Sequence, residues 1–90
     1  MKKYLISFYW EDDVNSEIAV SIRKKIEKLS PKTWIQIFPN LLVIQSDRSM
    51  EDIYSEIKTA SSSKRFIITE VSEIVTNEDR SNSLLNEYGY

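Results

Sequence analysis

The chain has 90 residues, of which 41% are hydrophobic, and a formal net charge of −2. This length is typical of one domain, and the hydrophobic content favours a packed core over a disordered chain. The small negative charge gives no general attraction to nucleic acid or to anionic lipid. Cysteine and histidine are absent, which excludes disulfides, thiolate or His-ligated zinc sites and the usual catalytic triad.

Glycine occurs once in the sequence, at Gly89. Phosphate-binding loops of the P-loop and dinucleotide types need glycines, because a Cβ blocks the approach of the backbone to phosphate. Any catalysis would therefore depend on carboxylates, Lys, Tyr or a hard metal ion. We identify no catalytic residue, and the composition favours a non-enzymatic protein without a cofactor.

The first half of the chain predicts a strand followed by a helix. Lys3–Trp10 is an apolar run in which both alternating sets of side chains are largely apolar, as in a central strand. It is interpreted as a strand and not as a signal peptide, because it stops at the acidic residues 11–13 without a small-residue cleavage site. The helix is expected to begin at Asn15 or Ser16 and to stop before Pro31, with an apolar stripe at helical spacing.

The second half predicts two further strands, a helix and a last strand. Residues 33–38 have the β-branched and aromatic content of a strand, and the unbroken apolar run Leu41–Gln45 indicates a strand buried on both faces. Between them we predict a hairpin turn in which Asn40 takes a positive φ. Ser49 is expected to cap a second helix, and Phe66–Val71 forms the fourth strand. The buried stripe predicted for the second helix consists of Met50, Ile53, Tyr54 and Ile57.

Two βαβ halves in this order predict an α+β, ferredoxin-like βαββαβ sandwich, a four-stranded antiparallel sheet with two helices on one face. This domain is assigned to residues 1–72. Residues 73–90 are a short C-terminal extension, predicted to add a strand at Ile74 and Val75, a helix that begins near residues 77–79, or both. The extension is expected to pack on the domain or on a dimer mate.

The two faces of the predicted sheet are not equally covered. The helices cover one side, whereas the first and third strands are apolar on both sides, and an exposed apolar patch of that size is rare in a monomer. The second face must therefore be covered by the C-terminal extension or by a second copy of the chain. We predict a homodimer.

Several segments resemble a family of small bacterial ferredoxin-like proteins. They are Tyr4–Phe8 in the first strand, Trp34 before the second, Ser49–Ile53 at the start of the second helix, and Phe66–Val71 in the fourth strand. Some members of this family are labelled SinR family, and they are similar in fold to the CRISPR adaptation endonuclease and to virulence-associated protein D. The resemblance implies homodimers joined through sheet faces and edges, and frequent association with nucleic acid.

The resemblance also raises the alternative of a divalent-metal-dependent nuclease. The nuclease members place an aspartate at the end of the first strand, where this chain has Tyr9. The acidic residues come later, and Glu11, Asp12 and Asp13 are candidate ligands for Mg²⁺ or Mn²⁺ that would activate a water for phosphodiester cleavage. The other interpretation of this cluster is a solvated loop that leads into the first helix.

Basic and aromatic side chains give two candidate partner surfaces. The basic residues could follow a phosphate backbone, although they are also typical of the outer face of a helix. The aromatic residues are assigned to a dimer or partner face in preference to base stacking, because RNA-binding sheets also carry Gly and Lys or Arg in the stacking strands. The basic set is Lys2, Lys3, Arg23, Lys24, Lys25, Lys28 and Lys32; the aromatic set is Tyr9, Trp10, Trp34 and Phe38.

The leading functional hypothesis is a cytoplasmic, non-enzymatic homodimeric module that binds a protein or nucleic-acid partner. A third hypothesis, after the nuclease, is a small inhibitor or antitoxin-like protein of a mobile element that blocks a larger partner. No membrane association is expected, because the sequence has no run near the roughly 20 apolar residues that span a bilayer.

Overall fold

A computed structural model of the protein describes residues 1–9 and 15–90. Four strands and two helices follow in the predicted order, and a third helix lies in the C-terminal extension. In chain order the elements are β1 (Lys2–Phe8), α1 (Glu17–Leu29), β2 (Ile35–Phe38), β3 (Leu41–Ser46), α2 (Met50–Ser61), β4 (Phe66–Val71) and α3 (Asp79–Glu87).

The four strands form one sheet in the order β2-β3-β1-β4, and every neighbouring pair is antiparallel. The first strand of the chain is therefore central, while β2 and β4 form the two edges. This order of strands and helices confirms the predicted ferredoxin-like sandwich.

The main core lies between the sheet and the two long helices. Alternate residues of β1 point into it, and the same holds for β3, because successive side chains of a strand point to opposite faces. The hydroxyl group of buried Tyr4 donates a 2.8 Å hydrogen bond to the carbonyl of Arg48, which satisfies its polar atom. The buried core residues are Tyr4, Ile6, Phe8, Ala19, Ile22, Ile26, Leu42, Ile44, Ile53 and Ile57.

Each of the three helices begins at a capping side chain. The Ser16 hydroxyl accepts a hydrogen bond from the backbone N–H of Ala19, and the Ser49 hydroxyl accepts one from Asp52. The carboxylate of Glu78 caps α3 in the same way. These caps satisfy N–H groups that have no partner inside the helix, and they confirm the predicted helix starts.

The β2–β3 hairpin differs from its prediction in one respect. Asn40 does not have a positive φ; among the described non-glycine residues only Ser62 does. Pro39 fixes its own φ near −65°, which excludes the mirror-image turns that match the twist of a hairpin. The register shift between Gln36 and Phe38 shows a β-bulge or irregularity directly before this turn, which is where the mismatch can be absorbed.

Two further predictions about buried residues and strands are wrong. Tyr54 is largely exposed on α2, and its ring instead stacks at an angle on Phe66, with the centroids 5.6 Å apart. Residues 73–76 form no strand, so Ile74 and Val75 neither extend β4 nor add a fifth strand. The extension instead crosses the second face of the sheet and continues into α3.

Candidate functional site

The second face of the sheet is covered in part by the C-terminal extension. Leu85 of α3 packs against Ile35 of β2 and Val43 of β3 in a second, smaller core, and half-buried side chains surround these three. The hydroxyl group of Tyr90 donates a 2.6 Å hydrogen bond to the carbonyl of Thr33, which holds the end of the chain beside β2. The extension therefore covers the β2–β3 half of this face except at the end that holds Phe38 and Leu41.

The β1–β4 half of this face remains open, together with the Phe38–Leu41 end of the β2–β3 half. We call this surface the open half-face and define it by the outward-pointing residues Ser7, Leu41, Ile67, Thr69 and Val71, with Leu5, which also packs against the second core, at its boundary. The strand register places Phe38 opposite Leu41, Leu41 opposite Ser7, and Ser7 opposite Ile67. These four residues form a row that crosses all four strands near one end of the sheet.

Large apolar side chains along this row are exposed. Phe38 is 52% exposed and Ile67 is 60% exposed, and Val75 of the extension, which lies next to the row, is 85% exposed. A cavity of about 470 Å³ lies between Phe38, Leu41 and Val75, and no charged side chain lines it. Exposed apolar groups that are gathered in this way, in contrast to single scattered ones, are typical of a binding surface.

Two cations lie at the margins of the open half-face, and both are already engaged. The Lys3 ammonium group donates a 3.1 Å hydrogen bond to the carbonyl of Ser72. The Arg65 guanidinium group lies over the ring of half-exposed Tyr9, 5.1 Å from its centroid. A cation in this position is attracted by the negative face of the aromatic ring. The centre of the surface therefore carries apolar and small polar side chains.

The aromatic residues predicted as a partner face are only partly brought together. Tyr9 and Phe38 lie at the same end of the sheet: Phe38 is the β2 member of the row, and Tyr9 lies beside Ser7 and Ile67. Trp34 precedes β2 and packs against the main core, so it does not belong to the open half-face. Trp10 lies outside the described residues.

The basic residues divide between several surfaces. Arg23 donates to the carbonyl of Pro39, and Lys25 forms a 3.1 Å ion pair with Glu56. Exposed Lys24 and Lys28 line a shallow depression on α1, and exposed Lys32 lies beside β2. Lys2 is exposed in β1, at the opposite end of that strand from Phe8.

The predicted metal ligands Glu11, Asp12 and Asp13 also lie outside the described residues. Within residues 1–9 and 15–90, no group of three acidic, His or Cys side chains is placed to hold a metal ion. Over the same residues, no helix has the length and apolar character needed to cross a bilayer.

Sequence reasoning missed Ile67, Ser7 and Leu41 as surface residues, although the signal was present. Phe66 and Ile68 point into the main core, so the period of two in a strand requires Ile67 to point the other way. The chain matches no protein-family model, no curated protein and no solved structure. Its function is therefore inferred from the surfaces described above.

Proposed function

We propose that the chain is a non-enzymatic homodimeric interaction module. Two copies pack through the open half-face, and the surfaces that stay exposed bind a protein or nucleic-acid partner. The observation that carries the proposal is the row Phe38, Leu41, Ser7 and Ile67, whose two outer members are large, apolar and more than half exposed.

The shape of this row favours self-association. Ser7 is a small residue between Leu41 and Ile67, and it leaves a depression between two larger side chains. A two-fold axis brings the same patch of both copies together, so that an exposed side chain of one copy can fill the depression of the other. Burial of a side chain of the size of Ile or Phe contributes about 1.5–3 kcal/mol to the free energy of association. In a two-fold dimer each such residue is buried once in each copy, so it contributes twice.

The distribution of charge is compatible with the same contact. A buried charge is costly unless it is paired and hydrogen-bonded, and the described centre of the open half-face carries none. Lys3 and Arg65 lie at its margin, where they can stay hydrated in the dimer.

The experiment is a mass measurement by light scattering coupled to size exclusion at micromolar concentration. The wild-type protein is expected to have the mass of two chains, and Ile67→Glu the mass of one, because the new carboxylates would face each other across the axis. Ser55→Glu adds the same charge on the exposed surface of α2 and should remain a dimer. Circular dichroism of each variant shows that the fold is intact.

A wild-type mass of one chain would contradict the proposal. So would an Ile67→Glu variant that is folded and has the mass of two chains, because the dimer would then use another surface.

A further inference from the structure

A second concave surface lies along the free edge of β2, next to the open half-face, and Ile37 lines both this groove and the cavity beside Phe38. Four consecutive residues, Trp34 to Ile37, line a groove of about 740 Å³ there. Because successive side chains point to opposite faces of the sheet, the feature that these four residues share is the edge of their backbone. β2 pairs with β3 alone, so half of its backbone N–H and C=O groups have no partner in the sheet.

Helix α3 forms the other wall of this groove. Leu84 and Tyr88 give that wall an apolar part, and Arg80 gives it a cation. Lys32 lies on the opposite side, directly before β2. Neither Arg80 nor Lys32 forms an ion pair within 4.0 Å with another described residue.

The carboxylate of Glu78 is the one acidic group that lines the groove among the described residues, and it is already in use. It accepts hydrogen bonds from the backbone N–H of Ser81 at 3.0 Å and from the Ser81 hydroxyl at 3.2 Å. Those bonds fix it as the cap of α3. The lining therefore offers Lys32 as one cation to a ligand, and Arg80, whose charge also interacts with Glu78, as a second.

We propose that this groove binds an extended acidic peptide segment of a partner protein, which adds to the sheet as a strand beside β2. The proposal rests on the proposed function, because it names the class of partner that the module binds. Backbone hydrogen bonds to an edge strand supply affinity in this mode, and pockets for alternate side chains supply specificity. Here the apolar side chains of the peptide would contact Leu84 and Tyr88, and its carboxylates would face Lys32 and Arg80.

Charge argues against a second copy of the chain in the groove. A two-fold axis between two β2 edges would bring the Lys32 and Arg80 groups of both copies to the same interface, where like charges repel. An acidic peptide removes this repulsion and pairs both cations. The groove and the open half-face adjoin at Ile37, which lines both, so peptide binding is also measured on the Ile67→Glu monomer.

The first experiment is selection from a phage-displayed library of random eight-residue peptides on the wild-type protein. The enriched peptides are expected to alternate apolar residues with Asp or Glu. One such peptide is then synthesised and titrated into ¹⁵N-labelled protein, and the amide shifts should change along residues 34–37 and in α3. Enriched peptides without acidic residues, or shift changes confined to another surface, would overturn the proposal.

The second experiment reverses the charge of the groove. Lys32→Glu combined with Arg80→Glu should weaken binding of the selected peptide roughly tenfold, which corresponds to about 1.4 kcal/mol. Lys24→Glu combined with Lys28→Glu makes the same charge change on α1 and should leave the affinity within about twofold. Unchanged affinity in the groove variant would overturn the proposal.

Two further measurements complete the test. The first shows whether the peptide pairs through its backbone, and the second distinguishes peptide binding from dimerisation. Two peptides are compared, each N-methylated at one of the two alternate sets of residues. The peptide that lacks the N–H groups facing β2 should not bind, whereas the other should; equal binding of both would overturn the added strand. Ile67→Glu should bind the peptide as a monomer, and the groove variant should have the mass of two chains. A wild-type protein that binds the peptide but has the mass of one chain contradicts self-association alone, and a wild-type dimer that binds no peptide contradicts the groove alone.

Discussion

The hydroxyl group of Tyr90 donates its hydrogen bond to the backbone carbonyl of Thr33, a residue 57 positions earlier in the chain. The bond joins the end of the C-terminal extension to the segment that enters β2. Gln45 of β3 adds a second link, because its side-chain amide donates to the carbonyl of Gly89 at 3.3 Å. The extension is thus held to both strands that it covers.

The bond between Tyr90 and Thr33 should contribute measurably to stability. Tyr90→Phe removes the donor and leaves the Thr33 carbonyl without it, so we expect the free energy of unfolding to fall by about 1 kcal/mol. Tyr88→Phe is the matched control, because the Tyr88 hydroxyl has no hydrogen-bond partner in the described part of the chain. Urea unfolding followed by circular dichroism measures both variants. Equal stability of Tyr90→Phe and wild type would contradict the prediction.

The same residue should make stability depend on alkaline pH. Burial raises the pKa of the Tyr90 phenol above its ordinary value of 10.0, and ionisation would also remove the proton that it donates to Thr33. At pH values below 10.0 the phenol is neutral in both the folded and the unfolded protein. Above it the unfolded chain loses the proton first, so the free energy of unfolding falls as pH rises.

This pH effect is measured by comparing wild type with Tyr90→Phe at about pH 8 and at about pH 10.5. Wild type should lose more stability over this interval than the variant. The two proteins differ only in the Tyr90 hydroxyl group, so the difference between the two slopes reports Tyr90 together with its interaction with Tyr88. Identical slopes would show that its phenol titrates alike in the folded and unfolded states.

Leu85 is expected to stabilise the whole domain and not merely α3. It packs on Ile35 and Val43, and Val43 belongs to a strand that also contributes to the main core. Leu85→Ala should therefore cost about 2–5 kcal/mol in the free energy of unfolding, whereas Ser83→Ala on the exposed side of α3 should change it by less than about 0.5 kcal/mol. An unfolding curve in which α3 melts separately would contradict this coupling.

Divalent cations should not give the protein nuclease activity. The sequence has no histidine to act as a general base, and the residue directly after β1 is Tyr9, which is not an acidic metal ligand. Wild type and the Asp12→Ala/Asp13→Ala double variant should both leave single- and double-stranded DNA and RNA intact with Mg²⁺ or Mn²⁺. Metal-dependent cleavage that the double substitution abolishes would establish the nuclease alternative and refute the non-enzymatic module.

The fold was predictable from the sequence because its signals are local and redundant. Ser16 and Ser49 mark helix starts, Pro31 follows the end of α1, and the run through Leu42, Val43 and Ile44 indicates a strand buried on both faces. The predicted positive φ of Asn40 was wrong because the prediction considered the two turn residues without the strands that flank them. The geometry there depends on Pro39 together with the irregularity in β2.

The surfaces were harder to predict, because they depend on which distant segments meet. No local pattern shows that the extension covers β2 and β3 and leaves Ile67 exposed. Arg80 and Lys32 lie 48 positions apart, and only the packing of α3 beside β2 brings them to one groove. Lys24 and Lys25, which are adjacent in sequence, line the same depression on α1, but the packing of α2 gives only Lys25 an ion pair, with Glu56.

The central position of β1 has a consequence for synthesis of the chain. Of the four strands of the sheet, β1 is synthesised before the others, and both of its neighbours, β3 and β4, lie in later segments. One edge of β1 can therefore pair only after the segment that begins at residue 41 has been synthesised. The other edge can pair only after the segment that begins at residue 66 has been synthesised. During this interval the unpaired strand, with the apolar side chains of Tyr4, Ile6 and Phe8 exposed, can bind a chaperone or pair with the same strand of another nascent chain.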